Sequence, residues 1–262
     1  MCIRDSGESG AARITKFDAS DFSTTFAAEL KGYDDISGLT QKETRRIDPF
    51  VQYALTASNQ AITDANLALE NLDTKRIGVS IGSGIGGLGS IEDNSIILKE
   101  KGPKKISPFF VPGAIINMAS GNVAIKYNLQ GPNISIVSAC SSAGHSIGYS
   151  ARTISYGDAD IMITGGSEAG ITPLGLAGFN ASKALSTNNE NPKKASCPWD
   201  KKRDGFLLGE GSGILVLEEL DFARNRGAKI YGEVVGFGQS DDAYHITAPA
   251  EDGRGAYNAM IN

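Results

Sequence analysis

Two overlapping patterns in residues 136–148, IVSACSSAGHSIG, could support nucleophilic chemistry. In the first, Cys140 stands where a short β-branched strand gives way to a helix of small residues. In the second, residues 144–148 (GHSIG) match G-x-S-x-G, the motif of a serine nucleophile elbow. A thiol or a hydroxyl at such a turn could attack an ester or thioester carbonyl. The elements around the two side chains must therefore decide between them.

The predicted strand ends near Ser138, so Ser146 falls about two turns into the helix at 3.6 residues per turn. A hydroxyl at that depth has no turn to project it, and we expect it to bond back to a backbone carbonyl. Cys140 stands at the turn itself, where the positive end of the helix dipole favours a thiolate. Amides at the same helix start could receive an oxyanion. The competing interpretation of Cys140 is an ordinary buried cysteine.

A cysteine nucleophile usually works with a nearby histidine, and the chain has only His145 and His245. On a helix of about 100° per residue, His145 points roughly 140° away from Cys140. We therefore expect His145 to be a surface or packing residue. His245 follows DDAY on a predicted loop or strand end, and its spacing does not relate it to Cys140. The pattern thus offers a nucleophile without an obvious base.

A glycine-rich loop, residues 82–87 (GSGIGG), follows an apolar strand and matches the dinucleotide fingerprint G-x-G-x-x-G. A true fingerprint opens a helix at the first strand–helix turn of a dinucleotide-binding fold. We predict no clean helix start after this loop, and the loop does not occupy that first turn. The pattern therefore favours a tight loop that allows close backbone approach.

Strand and helix patterns alternate along the rest of the chain. They predict a mostly parallel sheet covered on both faces by helices, that is, an α/β protein. The predicted helices span 45–65, 112–127, 140–156 and 221–227, with a helical pattern again from 253, and the predicted strands span 76–82, 133–138, 159–166, 212–220 and 229–238.

Composition narrows the function classes. The 262 residues are 40% hydrophobic with a net charge of −5, which argues against nucleic acid as a general partner. The three cysteines are odd in number and lack C-x-x-C spacing, so we expect neither a disulfide framework nor a zinc site. We see neither a signal-peptide pattern nor an apolar run of the roughly 20 residues that span a bilayer. We therefore expect a cytoplasmic protein that does not engage membranes.

Long stretches of the chain resemble the β-ketoacyl-acyl-carrier-protein synthases, the condensing enzymes of type II fatty acid synthesis. The resemblance extends over about residues 16–262 and is far more specific than any single motif. It is carried by GSGIGGLGSIEDN, GPKKISPFFVPGAIINMASG, SIVSACSSAGHSIGYSARTISYGDADIMITGGSEAGITPLGLAGF, KALSTNNENPKKASCPWDKKRDGFLLGEGSGILVLEEL and GAKIYGEVVGFGQSDDAYHITAP.

This resemblance implies a thiolase-like fold of two similar halves, usually assembled as a homodimer. It also implies a reaction in which the cysteine takes an acyl chain from an acyl carrier protein. Malonyl-carrier protein then decarboxylates and attacks the acyl-enzyme, which gives a 3-oxoacyl chain longer by two carbons. Neither a metal nor an organic cofactor is implied.

Matched residue by residue, Cys140 corresponds to the family nucleophile. Ile85 in GSGIGG and Phe179 in LAGF match residues of the acyl channel, and Phe110 in SPFFVP matches one that reaches the pocket across the dimer. Six basic residues fall where the family docks its acidic carrier protein: Lys42, Arg45, Arg46, Lys104, Lys105 and Lys183. The alternative interpretation of these charges is a solvated surface.

The chain also departs from the family pattern. The two catalytic histidines and the second oxyanion loop belong to later motifs, and none of these occurs in the 262 residues. The usual opening strand is absent, and MCIRDSGESG differs from the expected start. We therefore expect a partial chain that does not catalyse condensation by itself. In this interpretation residues 1–227 form the N-terminal half with the nucleophile, and residues 228–262 form the truncated start of the C-terminal half.

Two other functions fit parts of the pattern. A polyketide-type ketosynthase or another thiolase-fold acyltransferase would share the nucleophile, although GSGIGGLG and PFFVP favour the fatty-acid branch. A non-catalytic partner, like the chain-length factors that pair with ketosynthases, is expected to lack the cysteine. The presence of Cys140 argues against that alternative.

Overall fold

The fold is described by a computed structural model for residues 7–33 and 37–262. The chain divides into two compact units, Met1–Glu219 and Leu220–Asn262. Cys2 lies outside the described residues. The predicted boundary between an N-terminal half (residues 1–227) and the start of a C-terminal half (residues 228–262) stays a prediction.

The first unit is built on a four-stranded sheet with the spatial order β4-β3-β5-β6. The central strand β3 runs parallel to both β4 and β5, whereas β6 pairs antiparallel with β5 along its whole length. The mostly parallel sheet expected from the alternating pattern is thus confirmed. A separate antiparallel pair joins β1 to β2. The strands are β1 (Ala12–Arg13), β2 (Phe26–Ala27), β3 (Ile77–Gly82), β4 (Asn133–Ile134), β5 (Ile161–Ala169) and β6 (Glu210–Glu218).

Helices surround this sheet, and short 3₁₀ turns join several of them. The 3₁₀ turns are Leu69–Asn71, Thr74–Arg76, Pro103–Lys105, Ala139–Ser141 and Pro192–Lys194. The helices of the first unit are α1 (Gln41–Thr44), α2 (Pro49–Asp64), α3 (Leu88–Lys101), α4 (Phe110–Ala114), α5 (Met118–Tyr127), α6 (Ser142–Ser155) and α7 (Pro173–Ala181).

Helices α2 and α6 cover opposite faces of the sheet. Gly166 of β5 faces α6, because a Cβ there would lie 2.6 Å from the Cβ of Ala143. The next residue, Ser167, donates its hydroxyl to the carbonyl of Phe50 in α2. Since successive strand residues point to opposite faces, the two helices sandwich β5. Strand β3 packs against α6 and α5, and it is buried along its whole length, which explains its largely apolar sequence.

The helix after the glycine loop corrects one prediction. Helix α3 begins at Leu88, directly after Gly87, although no local capping pattern marks its start. The acceptor comes from a distant segment, because the buried Asp48 accepts from the amide and the hydroxyl of Ser90. Asp48 also caps α2 by accepting from the Phe50 amide, with Pro49 at the first helical position. One carboxylate therefore accepts hydrogen bonds from the first turns of two helices.

Two further predictions of secondary structure are wrong. The predicted helix over 112–127 is two helices, since the backbone at Ile115 turns to an extended conformation after α4. This break brings the side chains of Ile115 and Ile116 to the wall of a cavity described below. Residues 229–238 form no strand, because no described segment pairs with them, and a strand requires a hydrogen-bonded neighbour.

The second unit contains α8 (Leu220–Asn225) and α9 (Arg254–Ile261), joined by a long irregular segment. Asp242 organises part of that segment by accepting from the amides of Tyr244 and Ala250. Across the described ranges 7–33 and 37–262, no helix is both long enough and apolar enough to cross a bilayer.

Candidate active site

Cys140 lies in the middle of the 3₁₀ turn Ala139–Ser141, immediately before α6, and its side chain is exposed. The residue before it, Ala139, has a φ of 50°, in the left-handed region that non-glycine residues rarely adopt. Backbone strain of this kind costs of order 1–3 kcal/mol and persists only where the surroundings enforce it. The turn that presents the thiol is therefore held in place by its neighbours.

Side-chain hydrogen bonds provide part of that constraint. The buried Ser142 hydroxyl donates to the Ala139 carbonyl at 2.7 Å and accepts from the Ser138 amide at 2.9 Å. The hydroxyl of Ser138 lies 2.6 Å from Nδ1 of His145. His145 is half-buried and links α6 to the residue that precedes the 3₁₀ turn, a contact that its angular separation from Cys140 does not predict. His245, on a loop of the second unit, accepts from the amides of Thr247 and Ala248.

Glycines form the surface on which the start of α6 packs. A Cβ on Gly82 would lie 2.7 Å from the Ser142 carbonyl oxygen, closer than real Cβ atoms approach. Gly166 on the neighbouring strand leaves the same kind of space for Ala143. The two glycines let the helix start approach the carboxyl ends of β3 and β5, and that approach sets where Cys140 emerges.

Ser146 lies inside α6 and is fully buried, as expected for a packing residue. The prediction that its hydroxyl bonds back to a carbonyl is wrong, because within the described ranges it has no hydrogen-bond partner. Its Oγ would instead lie 2.8 Å from a Cβ on Gly82, so it is packed against β3. No serine elbow is formed at this position.

The glycine loop is held by an acidic residue on β5. Glu168 Oε2 accepts from the amides of Gly84 (2.7 Å) and Ile85 (3.3 Å), and Oε1 accepts from the Ser83 hydroxyl (3.1 Å). These amides are the donors that a dinucleotide pyrophosphate would require. Although the loop does open a helix, its amides are already occupied by a carboxylate. Dinucleotide binding therefore remains disfavoured, because the carboxylate occupies these amides and not because a helix start is missing.

An apolar cavity of about 490 Å³ lies beside this loop. Ile85 lines it, and so does Phe110 of the same chain, although the predicted role of Phe110 was to reach the acyl channel across a dimer. So do Ser135 and Val137, on the segment that runs directly into the Cys140 turn. The remaining wall comes from α3, α4 and the break after α4: Ile91, Val111, Ala114, Ile115, Ile116 and Asn117.

The third predicted channel residue, Phe179, lies elsewhere. Its ring packs edge-on against Phe206, with centroids 5.3 Å apart, beside a cluster that includes Leu176 and Leu208. Lys183 follows α7 with a φ of 54° and is exposed. The structure thus brings together Ile85 and Phe110 but not Phe179, whose role stays a prediction.

The predicted docking cations are all exposed. Lys42 lies on α1 and Arg45 follows that helix, while Lys104 and Lys105 lie on the 3₁₀ turn Pro103–Lys105. The guanidinium carbon of Arg46 lies 4.7 Å from the centroid of the Phe109 ring, next to Phe110. The backbone is also joined there, since the Asp48 amide donates to the Gly113 carbonyl of α4. Arg46, one of the six predicted docking cations, is therefore held next to the cavity wall.

Asp48 is a buried ionisable group joined by its amide to α4, which forms part of this wall. Desolvation raises the pKa of its carboxyl above the usual value, and hydrogen bonds from Ser90 and Phe50 partly oppose that rise. No group of three or more His, Cys, Asp or Glu side chains placed to hold a metal ion occurs in the ranges 7–33 and 37–262.

These features define an α/β protein of thiolase-like fold with a cysteine on a constrained turn beside an apolar cavity. The family model of the β-ketoacyl synthase N-terminal domain matches residues 6–223, and the chain belongs to this family. A relative from Vibrio cholerae serotype O1, 3-oxoacyl-[acyl-carrier-protein] synthase 2, is 56% identical over 254 residues. That alignment covers 97% of this chain and 61% of the relative, so the chain spans about three-fifths of that protein's length.

Solved structures show the same fold. A β-ketoacyl synthase from Burkholderia phymatum superposes with a TM-score of 0.87 at 31% identity, covering 98% of this chain and 64% of that one. A type II polyketide ketosynthase superposes with a TM-score of 0.83 at 31% identity, with coverages of 98% and 64%. That ketosynthase was solved in complex with its acyl-carrier protein.

Proposed function

We propose that the protein contributes the nucleophile of a 3-oxoacyl-[acyl-carrier-protein] synthase, with Cys140 as the residue that carries the acyl group. The observation that carries the proposal is an exposed thiol on a constrained turn, next to an apolar cavity that the preceding segment helps to line. The 56% identity to a protein of that name supports the fatty-acid reaction.

In the proposed first step the Cys140 thiolate attacks the thioester carbonyl of an acyl carrier protein. The new C–S bond to the enzyme forms as the carrier thiol leaves and takes up a proton. Ser141, the residue that precedes α6, makes no side-chain capping bond to the amides of the first turn. They and the helix dipole would stabilise the oxyanion of this step.

In the second step malonyl-carrier protein loses carbon dioxide and leaves a carbanion at its α-carbon. This carbanion attacks the acyl carbonyl on Cys140, and the C–S bond breaks as the new C–C bond forms. The product is a 3-oxoacyl chain longer by two carbons. During both steps we place the acyl chain in the 490 Å³ cavity, with Ile85 at its mouth and Phe110 on its wall.

Acyl carrier protein is the proposed partner. Its acidic surface would be attracted to the exposed cations around α1 and the 3₁₀ turn Pro103–Lys105, of which Arg46 lies next to the cavity wall. Lys183 and Phe179 belong to the same proposal through their match to the family pattern. The acyl-carrier-protein complex of the related polyketide ketosynthase supports this assignment.

A homodimer is part of the proposal. Strand β4 lies at the edge of the sheet, and Ile134 and Val137 beside that edge are both 55% exposed. An apolar sheet edge of this kind is suited to pairing with another copy. We also propose a cytoplasmic location, which the odd number of cysteines favours.

The test uses the complete gene product, incubated with acyl- and malonyl-carrier protein while 3-oxoacyl product is followed by mass spectrometry. We expect the acyl group on Cys140, and we expect Cys140→Ala to lower turnover by roughly a thousandfold or more. Cys197→Ala serves as the matched control and should retain turnover. Acylation at Cys197 would overturn the assignment, and repeated extension without reduction would favour the polyketide alternative.

A further inference from the structure

Glu168 is a half-buried acidic residue close to the nucleophile, and the condensation steps above do not use it. It lies near the carboxyl end of β5, where its two oxygens accept three hydrogen bonds from Ser83, Gly84 and Ile85. Ser83 extends the connection, since its Oγ accepts from the Gly86 amide at 3.0 Å. A single carboxylate therefore organises four consecutive residues of the glycine loop.

The same loop touches the backbone that precedes the nucleophile. A Cβ on Gly84 would lie 3.0 Å from Glu168 Oε2 and 3.4 Å from the carbonyl oxygen of Ala139. The carboxylate and the backbone of the residue before Cys140 therefore both lie next to the Cβ position of Gly84. The glycine loop, Glu168 and the Cys140 turn meet at this point, where only a glycine leaves room for them.

Ile85 depends on this arrangement because its side chain is 37% exposed and lies at the edge of the cavity. Packing constrains this side chain only in part, so the position of its backbone also determines where it lies. Hydrogen bonds to a charged acceptor are about twice as strong as bonds between neutral groups. A carboxylate also offers two acceptor oxygens, which its amide counterpart does not.

We propose that Glu168 is a positioning residue: through the amides of Gly84 and Ile85 it holds the glycine loop beside the Cys140 turn, with Ile85 at the cavity, and so determines which acyl chain lengths reach the thiol. This inference rests on the proposed function. Glu168 itself contacts neither substrate nor sulfur in this scheme. Its effect must therefore appear as a change in chain-length selectivity and not as a uniform loss of rate.

The experiment measures Cys140 acylation in the complete gene product with butyryl and palmitoyl thioesters of acyl carrier protein. We expect Glu168→Gln to change the ratio of the two rates by about threefold or more, because a neutral amide oxygen accepts more weakly from the Gly84 and Ile85 amides and the amide nitrogen cannot accept from the Ser83 hydroxyl. In an Ile85→Ala background the same substitution should leave the ratio unchanged, since the side chain that Glu168 positions is gone.

Glu29→Gln is the matched control. Glu29 also accepts from two backbone amides and one hydroxyl, those of Thr15 and Lys16, but it lies on a segment that does not line the cavity. It should lower the thermal midpoint to a similar degree without changing the ratio. Ser83→Ala, which removes only the hydroxyl link, should shift the ratio in the same direction by a smaller factor. It keeps the test informative if Glu168→Gln fails to fold.

The outcomes separate the two claims. Equal loss of both rates in Glu168→Gln, or a ratio change that persists in the Ile85→Ala background, would overturn the positioning role while the proposed function stands. Failure of the wild-type protein to accept either acyl group on Cys140 would overturn the proposed function, and the inference that rests on it would fall for that separate reason.

Discussion

The two cysteines within the described residues, Cys140 and Cys197, lie on segments of opposite character. Cys140 follows a residue in the left-handed region, and hydrogen bonds from Ser142 and a surface of glycines hold its turn. Cys197 is half-buried on a polar loop, where its thiol makes only a weak 3.6 Å contact with the Ala195 carbonyl. The two thiols therefore differ in how closely the neighbouring residues constrain the backbone that carries them.

The most severe test of this comparison is Gly82→Ala. The new Cβ would lie 2.7 Å from the Ser142 carbonyl, so the start of α6 must move or the strand must shift. Overpacking of this kind costs about 1–3 kcal/mol of unfolding free energy, measured by chemical denaturation. We also expect iodoacetamide labelling of Cys140 to change relative to that of Cys197, as followed by peptide mass spectrometry.

Gly144→Ala is the control for that experiment. Gly144 lies on the same helix, but its Cβ would meet nothing within 4 Å. Alanine should stabilise the helix by roughly 0.5–1 kcal/mol and leave the labelling ratio unchanged. If Gly82→Ala behaves like Gly144→Ala, the glycine surface does not set the position of Cys140.

Ser142→Ala examines the hydrogen bonds of the turn separately from its packing. Loss of the hydroxyl removes the partner of the Ser138 amide and one of the two donors to the Ala139 carbonyl, which keeps the backbone N–H of residue 142, at an expected cost of about 1–2 kcal/mol. Because Ala139 is then less constrained, Cys140 labelling should change while Cys197 labelling does not. Ser155→Ala removes an exposed hydroxyl bond at the other end of α6 and should stay within about 0.5 kcal/mol of wild type. Equal effects of the two substitutions would contradict a special role for Ser142.

Local patterns predicted the elements that carry the site but not the contacts between them. The apolar runs of β3 and β5 and the turn at Cys140 are properties of short segments, so periodicity locates them. The start of α3 was missed because its acceptor, Asp48, lies about forty residues earlier in the chain. The carboxylate that binds the glycine loop belongs to Glu168 on β5, which lies 84 residues after Gly84 in the chain. No sequence window contains both partners of such a bond.

Ser146 and residues 229–238 show the same limit in another form. Helical position predicted a back-bonded hydroxyl at Ser146, whereas close packing against Gly82 leaves that hydroxyl without a partner in the described ranges. The β-branched pattern of residues 229–238 is typical of a strand, but a strand exists only when another segment pairs with it. Among the described residues none does.

The smallest expected effect comes from the other end of the sheet, where Arg76 and Asp160 precede β3 and β5 and form an ion pair of 2.6 Å. The hydrogen bond from Arg76 lowers the pKa of the Asp160 carboxyl. A carboxyl with a lowered folded-state pKa stabilises the fold above its unfolded value near 3.9, and this contribution is lost as pH falls through the folded value. Because both side chains are more than one-third exposed, Asp160→Asn should cost only about 0.5–1 kcal/mol at neutral pH. Denaturation curves should show this difference disappearing below about pH 4.

The ratio of Cys140 to Cys197 labelling should stay at the wild-type value throughout, because the Arg76–Asp160 pair lies at the end of the strands remote from both the glycine surface and the turn. A change in that ratio would mean that general stability, and not the local constraint on Cys140, separates the two thiols.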